Sequence, residues 1–491
     1  MIILNINNSY NYELEKLCRI FLPYEKITVT DGAEQFDGKT ELKREETETL
    51  LSASINLYGQ SAEFEDTVPN NDPDYDKECE RVLALQLYRC FTKITGYVSE
   101  WGILTGIRPA KLYSHFVRET SKKEATEIFK TKFAVSEEKV SLCEETEKGE
   151  RKIIELSGKK SFSLYVSIPF CPTRCSYCSF VSHSVEKSHA LIPQYLDKLI
   201  DELSYTSKLI EKYNLKLETI YIGGGTPTTL TAEQLDRLMK EINRYFKTDN
   251  ILEYTVEAGR PDTITKEKLE VIKKNGATRV SINPQTMSDE ILKKIGRKHT
   301  VSQTVEAFSL ARQIGFSNIN MDLIAGLPDD TPQNFKKTVD AVIALQPDSV
   351  TVHSLSLKRA ATLNREGELP EFEDGKKAAE MVRYARKTLT ENGILPYYMY
   401  RQSKTLGNLE NVGYAKRGKE GFYNVYIMDE THTILACGAS AVTKLRDIDS
   451  TYIKRIFNYK YPYEYVNNFE EIISRKESIT EFYDKYCICN K

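Results

Sequence analysis

The sequence predicts an α/β protein whose central part is a parallel sheet covered by helices. Short apolar runs alternate with longer amphipathic stretches from about Ser163 to about Asn392. Most of the runs are rich in Val, Ile or Tyr, and polar residues or glycines follow them, as is typical of strands. Strand–helix units repeated in series imply a parallel sheet, either an open doubly wound sheet or a partial barrel.

The strands and helices of this part are predicted from two different periodicities. The helical stretches have apolar residues at spacings of three and four, and two of them end in glycine. They are LIPQYLDKLIDELSYTSKLIEKY, TAEQLDRLMKEINRYF, TKEKLEVIKKNG and VSQTVEAFSLARQIG. The predicted strands are Leu164–Ile168, Thr219–Ile222, Tyr254–Val256, Arg279–Ile282, Ile319–Leu323 and Ser349–Val352.

The polar motifs of the chain follow these strands directly. In a barrel the functional residues lie at the carboxyl ends of the strands. The motifs at those positions are Cys171–Cys178, Gly223–Thr226, Glu257, Gln285, Asp322 and His353. We therefore expect a functional site at this edge of the sheet.

The flanking regions predict two further domains. Residues 1–155 contain the strand candidates MIILNIN, KITVTD and SASINLYG and two long helical patterns, which predict an α+β domain of unknown role. The parallel-sheet domain covers residues 156–393. For residues 394–491 we expect a small C-terminal region of short strands and turns, followed by a tail. Cys487 and Cys489 near the end are interpreted as a disordered terminal pair rather than a metal site.

The composition excludes several classes of protein. Of 491 residues, 40% are hydrophobic and 28% charged, as in an ordinary globular protein, and the net charge of −3 gives no reason to expect a nucleic-acid partner. We expect neither a signal peptide nor a membrane span, because the first residues lack a basic region and no apolar run approaches about 18 residues. Ten cysteines in this length favour metal binding or catalysis in a cytoplasmic protein over a disulfide scaffold.

Three of the cysteines, Cys171, Cys175 and Cys178, have CxxxCxxC spacing after the first strand of the parallel sheet. Thiolates select zinc or iron–sulfur centres. Structural zinc needs four ligands, so a zinc site completed by His183 is one alternative. The other is a [4Fe–4S] cluster on three cysteines; since such clusters usually have four, the missing ligand suggests that a small molecule completes the shell.

This motif at the start of a βα repeat resembles the radical S-adenosylmethionine (SAM) superfamily. The resemblance implies that the open iron binds the amine and carboxylate of SAM. It also implies that the reduced cluster cleaves SAM to a 5′-deoxyadenosyl radical, which abstracts hydrogen from a substrate. The protein then holds, orients and shields the cofactors.

Further motifs in order resemble one subgroup, the oxygen-independent coproporphyrinogen III oxidase (coproporphyrinogen dehydrogenase) family. They are YVSIPFCPTRCSYC, YIGGGTPT, VEAGRPD, SINPQT, IGRKHT and MDLIAGLP, and WGILTGIRPAKL and NLENVGYAKRG resemble its HemZ-like branch. The resemblance implies a partial (β/α)6 TIM-like barrel with an N-terminal α+β domain and a small C-terminal region. It implies an oxidoreductase of heme and porphyrin biosynthesis that converts coproporphyrinogen III to protoporphyrinogen IX.

The resemblance also implies roles for individual residues. Three cysteines ligate the cluster, a second group surrounds the methionine moiety and the cluster, and a third makes polar contacts to SAM. These groups are Cys171, Cys175 and Cys178; Tyr165, the backbone at Tyr177, Gly224, Gly225 and Thr226; and Glu257, Gln285, Arg297 and Asp322. For Glu257 and Asp322 a strand-end salt bridge is the alternative.

The implied substrate is a tetrapyrrole with four propionates, which requires cations. Arginine suits carboxylates because its fork binds them in a bidentate manner. The candidates by position are Arg174, Arg260, Arg359 and Arg401, and His353 is a candidate contact to substrate or SAM. An electron donor such as ferredoxin or flavodoxin is the implied protein partner.

Two positions depart from the family pattern. Phe180 stands where the dehydrogenases have a fourth cysteine, and Ser167 stands where they have histidine. The heme-chaperone branch, HemW, shares the aromatic residue but has an HNxxYW motif for heme; the matching stretch here, YNVYIM, keeps only Asn424. A heme-binding or heme-transfer protein of the HemW type and another radical SAM reaction on a tetrapyrrole therefore remain alternatives.

Overall fold

A computed structural model describes residues 1–178, 183–356, 372–402 and 404–486 of the chain. These residues form two compact units. Unit 1 contains Met1–Glu147 and Tyr400–Glu410, with a short segment that ends at Gly375. Unit 2 contains the other described residues from Lys148 onward.

Unit 1 is an α+β structure with a five-stranded sheet. Its strands are β1 (Ile2–Ile6), β2 (Thr28–Thr30), β3 (Gly38–Arg44), β4 (Glu48–Leu57) and β5 (Gln60–Pro69). Its helices are α1 (Asn11–Phe21), α2 (Tyr75–Thr95), α3 (Pro109–Glu119), α4 (Lys122–Thr131) and the start of α5 (Glu137–Ile154). The strand order is β2-β1-β3-β4-β5, with β1 parallel to both neighbours and the other pairs antiparallel.

A buried ion pair lies inside unit 1. Nζ of Lys139 is 2.7 Å from Oε1 of Glu410, and Nε1 of Trp101 donates to Oε2 of the same carboxylate at 2.7 Å. Both charged side chains are almost fully buried. Buried charges are tolerated only when they are paired and hydrogen-bonded, and this pair meets both conditions.

Unit 2 is built on parallel strands, each hydrogen-bonded to the next one along the chain. They are β6 (Ser161–Ile168), β9 (Lys216–Gly224), β10 (Glu253–Glu257), β11 (Arg279–Ser281), β12 (Ile319–Ala325) and β13 (Ser349–Ser354), and β7 (Phe170–Cys171) pairs separately with β8 (His183–Ser184). The helices are α6 (Val185–Ser188), α7 (Ile192–Glu211), α8 (Ala232–Tyr245), α9 (Lys266–Lys274), α10 (Asp289–Lys294), α11 (Val301–Gln313), α12 (Pro332–Ala344) and α13 (Phe372–Glu391). Each strand and helix predicted for this part of the chain is confirmed.

Local sequence signals explain where several of these helices begin. Before α8, the Thr231 hydroxyl accepts from the backbone N–H of Gln234, and the Gln234 side chain accepts from the backbone N–H of Thr231. Thr300 and Gln303 form the same reciprocal capping box before α11. Each box satisfies two backbone donors that the first turn leaves without partners.

The C-terminal region extends the sheet at both edges to eleven strands. Strands β14 (Leu395–Arg401) and β15 (Glu410–Ala415) continue from β13, and β16 (Thr433–Cys437), β17 (Val442–Arg446) and β18 (Ile453–Phe457) continue from β6. The helices are α14 (Phe422–Asp429), α15 (Pro462–Asn467) and α16 (Phe469–Tyr486). The predicted short strands are present, but α14 was missed because its tyrosines, valine and isoleucine favour strands. Across the described ranges, no helix is long and apolar enough to cross a bilayer.

Candidate active site

The three clustered cysteines lie on the loop that leaves the carboxyl end of β6. Cys175 is buried, and Cys171 and Cys178 are half-buried. All three are free thiols, and the backbone N–H of Cys178 donates to the Cys175 carbonyl at 3.1 Å, which closes a turn. The turn brings the second and third cysteines close to each other along the loop.

This loop, residues 171–178, is held against the segment that follows α10. The backbone N–H of Ser176 donates to the Ile295 carbonyl at 3.1 Å, and the Thr173 hydroxyl donates to the Gly296 carbonyl at 2.9 Å. Gly296 has a φ of +77°, and a Cβ there would lie 3.2 Å from the Arg174 carbonyl oxygen. Glycine therefore allows the two segments to approach this closely.

Two buried arginines lie beside the cysteine loop. Nη1 of Arg260 donates to Sγ of Cys175 at 3.5 Å. Arg297 donates from Nε and Nη2 to the Tyr177 hydroxyl, and from Nη1 to the Gly259 and Asn283 carbonyls. Two buried guanidinium groups thus lie next to the loop that carries the three thiols.

The residues around Cys171 fit a bulky anionic group. The Thr226 hydroxyl donates to Sγ of Cys171 at 3.4 Å. A Cβ on Gly225 would lie 3.0 Å from this sulfur and 2.7 Å from the Phe170 carbonyl oxygen, so the backbone closes against the loop without a side chain between. The donor set of soft thiolates with hydroxyl and guanidinium donors suits an iron–sulfur cluster.

A single-ion site receives no support. Among the described side chains, no three His, Cys, Asp or Glu groups gather around one point. The His183 ring instead packs edge-on against Tyr461 and Tyr463, with centroid distances of 5.9 and 6.1 Å. His183 thus has two aromatic neighbours, and the structure gives no observation in favour of the zinc alternative that this histidine would complete. Cluster thiolates bind separate irons and need not converge on one point.

The glycine motif forms the carboxyl end of β9. Gly224 has a φ of +110°, a backbone conformation that other residues rarely adopt. A Cβ on Gly223 would lie 3.0 Å from Oε2 of Glu257, and one on Gly224 would lie 3.0 Å from Oγ of Ser167. The backbone of residues 223–226 thus lies close to the cysteine loop and to Glu257.

Glu257 ends β10 and lies among aromatic rings. Tyr221 donates to Oε1 of Glu257 at 2.5 Å. The rings of Tyr165, Tyr221 and Tyr423 are stacked. Their centroid distances are 6.2 Å for Tyr165–Tyr221, 6.1 Å for Tyr165–Tyr423 and 4.5 Å for Tyr221–Tyr423. Burial raises the pKa of Glu257 to about 7; the Tyr221 hydrogen bond opposes this rise and the nearby Asp322 carboxylate adds to it. The carboxyl group therefore titrates near neutral pH.

Gln285 and Asp322 complete the polar edge on the following strands. Gln285 has a φ of +66°, and its backbone exchanges hydrogen bonds with β12 through the Asp322 carbonyl and the Ile324 N–H. Its Oε1 is buried and has no hydrogen-bond partner among the described residues. A buried acceptor without a donor is costly, so this atom is suited to a ligand that donates.

Asp322 is ionised at the same edge. Burial alone would raise the pKa of Asp322, but the nearby His353 imidazole and the hydrogen bond from Asn320 outweigh this and hold that pKa below its usual value. Nε2 of His353 is 3.9 Å from Oδ2 of Asp322, and Nδ2 of Asn320 donates to Oδ1 at 2.7 Å. The alternative that Asp322 forms a strand-end salt bridge thus has a candidate partner in His353. The carboxylate of Glu257 is instead bound by the hydroxyl of Tyr221.

The arginine candidates for the propionates lie in different environments. Arg401 lies in unit 1, buried, and its guanidinium donates to the carbonyls of Leu104, Gly106 and Asn408, so the prediction that it binds propionates is wrong. Arg260 faces Cys175 and Asp262 instead of an open cavity. Arg174 is exposed on the cysteine loop.

Four predictions concern residues outside the described ranges, namely Phe180, Arg359, Cys487 and Cys489. Sequence reasoning missed Tyr221, Tyr423, Asp262 and His299 as members of the site. The signal available for Asp262 was the RPD sequence of residues 260–262, which begins three positions after Glu257. Tyr423 had no local signal, since it belongs to the C-terminal helix α14 and meets the barrel only through the fold.

Comparisons with known proteins agree with this geometry. Residues 165–342 match the model of the radical SAM superfamily. The chain is 37% identical over 474 residues to the oxygen-independent coproporphyrinogen-III oxidase-like protein HemZ of Bacillus subtilis, covering 94% of each chain. It is 34% identical to the heme chaperone HemW of the same organism, over 56% of this chain and 70% of that one.

A solved structure has the same fold. The coproporphyrinogen III oxidase HemN of Escherichia coli, a radical SAM enzyme, matches with a TM-score of 0.52 and 24% identity, over 65% of this chain and 71% of that one. The predicted partial barrel is therefore confirmed.

Proposed function

Because this chain belongs to the radical SAM superfamily and, within it, to the HemZ-like branch of the oxygen-independent coproporphyrinogen III oxidase family, we propose that it decarboxylates coproporphyrinogen III oxidatively to protoporphyrinogen IX without O2. The superfamily uses a [4Fe–4S] cluster and SAM. When bound, these cofactors supply one electron and a 5′-deoxyadenosyl radical that abstracts hydrogen from the substrate.

The residues of the chain bind and orient these cofactors. Cys171, Cys175 and Cys178 would ligate three irons of the cluster, and the backbone of Gly224 and Gly225 with Thr226 would hold the methionine moiety of SAM. Gln285 offers its buried Oε1 to a donor group of SAM, and Glu257 and Asp322 contact amino or hydroxyl groups. Tyr165 and the backbone at Tyr177 line the pocket.

Arg297 holds the cluster loop in addition to its predicted contact with SAM. Its hydrogen bonds join Tyr177 to the carbonyls of Gly259 and Asn283, which follow β10 and β11. Through these bonds the Arg297 side chain links Tyr177, which precedes Cys178, to the carboxyl ends of β10 and β11. Loss of this side chain therefore displaces the cluster as well as SAM.

One observation carries the proposal. Three thiols, a glycine backbone without intervening side chains and an unpartnered buried acceptor lie at the carboxyl ends of parallel strands, where a (β/α) barrel binds its ligands. The similarity to HemZ over 94% of both chains supports a tetrapyrrole as the substrate. Two of its propionates become vinyl groups: each loses a hydrogen atom to the radical, then CO2 and one electron, so an electron acceptor takes one electron per propionate.

The partners follow from this chemistry. Exposed Arg174, at the rim of the cysteine loop, is a candidate contact for a propionate. A ferredoxin or a flavodoxin is the class of protein that supplies the electron to the cluster. The cytoplasm as the location stays a prediction of the sequence.

A heme-transfer function is the second candidate, because several relatives are named heme chaperone HemW. The stretch that corresponds to the chaperone motif forms α14, in which Tyr423 and Tyr426 are buried: Tyr423 stacks on Tyr165 and Tyr221, and the Tyr426 hydroxyl donates to the Ile153 carbonyl. These side chains have partners in the barrel, which favours the enzyme over the chaperone. Another radical SAM reaction on a tetrapyrrole, such as anaerobic ring opening of heme, is the third candidate.

Anaerobic product analysis separates the three candidates. Reconstituted protein with SAM, a reductant, an electron acceptor and coproporphyrinogen III is expected to form protoporphyrinogen IX, detected by chromatography after oxidation to the porphyrin. Heme in place of the porphyrinogen is expected to give no turnover of SAM. A stable Soret band on heme titration without substrate-dependent cleavage of SAM would favour the chaperone, and heme-dependent consumption of SAM would favour the third candidate.

A further inference from the structure

A buried cation contacts one of the three cluster cysteines. The Arg260 side chain is only 4% exposed, and its Nη1 donates to Sγ of Cys175 at 3.5 Å and to the Thr173 carbonyl at 3.4 Å. Its Nη2 donates to the Thr173 hydroxyl at 2.9 Å. The guanidinium therefore contacts both the sulfur and the loop that carries it.

Asp262 fixes the orientation of this guanidinium. Nε of Arg260 donates to Oδ1 at 3.1 Å and Nη2 donates to Oδ2 at 3.2 Å, which is the bidentate geometry of a strong charge-assisted pair. Nδ1 of the buried His299 lies 3.7 Å from Oδ1 of Asp262. Burial alone would raise the pKa of Asp262, but His299 and Arg260 hold it far below its usual value, so the carboxylate is charged.

The positive charge near Cys175 is greater than the Asp262 carboxylate alone can neutralise. Asp262 neutralises Arg260, yet Arg260 also donates to the sulfur, and the buried guanidinium of Arg297 raises the positive charge beside the same cysteine. A second buried guanidinium is costly unless an anion compensates it. A thiolate-bound cluster supplies that negative charge at this place.

We propose that Arg260 is a positioning residue that raises the reduction potential of the cluster through its charged hydrogen bond to Cys175. Reduction adds one electron to an assembly that is already negative. A fixed cation at the ligand sulfur stabilises the reduced form more than the oxidised form. Hydrogen bonds to the sulfurs and net charge are the protein's means of setting such potentials. The inference rests on the cluster assignment of the proposed function and not on the identity of the substrate.

Redox titration of the reconstituted full-length protein tests this inference. The fraction of reduced cluster is followed by electron paramagnetic resonance, with dithionite as reductant and redox mediators to set the potential. In Arg260→Gln the ratio of reduced to oxidised cluster at a fixed potential is expected to fall roughly tenfold, which is about 59 mV for a one-electron couple. Arg260→Lys keeps the charge but not the fork, so a smaller fall is expected.

Arg237→Gln is the matched control. Arg237 lies on α8, is about half exposed and pairs with Asp197, so its loss is expected to leave the potential unchanged. Iron content and thermal unfolding are measured for each variant. Should Arg260→Gln fail to load iron, Arg260→Lys decides: a lowered potential supports the inference, and the wild-type potential overturns it.

Three other results overturn it. Wild-type potential in a fully loaded Arg260→Gln would make Arg260 an anchor of the loop alone, as would equal shifts in Arg260→Gln and Arg237→Gln. Loss of iron from both Arg260 variants would have the same meaning. Failure to form protoporphyrinogen IX would leave the inference intact, whereas a wild-type protein that binds no cluster would remove the proposed function first.

Discussion

Tyr221 donates a 2.5 Å hydrogen bond to Oε1 of Glu257, across the adjacent parallel strands β9 and β10. Tyr221 pairs in register with Thr255, so Glu257 lies two residues further on the same face of the sheet. The Tyr423 ring stacks on Tyr221 at 4.5 Å. A carboxyl group that burial would otherwise destabilise is thereby held in one orientation at the edge where we propose that SAM binds.

Glu257 makes the stability of the cofactor-free protein depend on pH. Its folded pKa of about 7 exceeds the ordinary value of 4.5, so its contribution is fully present below pH 4.5 and is lost as the pH rises through about 7. Relative to Glu257→Gln, the wild type is therefore expected to lose on the order of 3 kcal/mol of unfolding free energy between pH 4.5 and 8.

Urea unfolding of both proteins across this range measures the difference. In Tyr221→Phe, which removes the hydrogen bond to the carboxylate, the loss is expected to be larger. A constant difference between wild type and Glu257→Gln at every pH would contradict the account.

Gly225→Ala is expected to abolish iron–sulfur reconstitution while leaving the protein folded. The new Cβ would lie 2.7 Å from the Phe170 carbonyl oxygen and 3.0 Å from Sγ of Cys171, so the cysteine loop has to shift. Gly32→Ala is the control, because a Cβ at Gly32 meets nothing within 4 Å. Iron and sulfide analysis after reconstitution is the measurement, and full cluster content in Gly225→Ala would refute the close approach.

Cys175→Ala is expected to lose the visible absorption of the cluster and all reductive cleavage of SAM, since the buried thiolate is one of three ligands. Cys79→Ala, a buried free cysteine in α2, is the control and is expected to keep both. Anaerobic chromatography quantifies 5′-deoxyadenosine. Cleavage at the wild-type rate in Cys175→Ala would exclude the three-ligand assignment.

Glu410→Gln is expected to destabilise unit 1 by about 1–3 kcal/mol, because the buried Lys139 then keeps only the Glu100 carboxylate, 3.0 Å away, as a charged partner. Burial alone would raise the pKa of Glu410, but Lys139 and Trp101 hold it below its ordinary value. The stability from this pair is thus present above the ordinary pKa of Glu410 and is lost as the pH falls through its lowered value.

Thermal or urea unfolding at pH 7 and at pH 4 checks this expectation. Glu137→Gln, at an exposed ion pair 3.8 Å from Lys130, is the control and is expected to change stability by less than about 0.5 kcal/mol. An equal effect of the two substitutions would mean that burial does not govern the Lys139–Glu410 pair.

The sequence predicted those parts of the molecule that depend on local pattern. The strands of the barrel and the placement of Cys171–Cys178, Glu257, Gln285 and Asp322 at their carboxyl ends follow from periodicity and order along the chain. The ordered motifs identified the coproporphyrinogen III oxidase family and its HemZ-like branch. Because chain order equals spatial order in this part of the sheet, local signals sufficed.

The remaining features depend on contacts between distant residues. Arg260 meets Cys175 across 85 positions, and Tyr423 meets Tyr221 from a helix that lies beyond the barrel. Arg401 resembled a substrate contact by type and position, yet its guanidinium is bound by backbone carbonyls. No periodicity encodes which arginine lies against backbone carbonyls and which lies beside the cysteine loop, so the fold was needed to separate them.

The central claim is that the cysteine loop generates a radical that abstracts hydrogen from a propionate of coproporphyrinogen III. Mass spectrometry of the 5′-deoxyadenosine released with substrate deuterated at the propionate β-carbons tests it most directly. The account predicts 5′-deoxyadenosine one mass unit heavier, formed together with vinyl product. Unlabelled 5′-deoxyadenosine at the same rate with and without the porphyrinogen would contradict it.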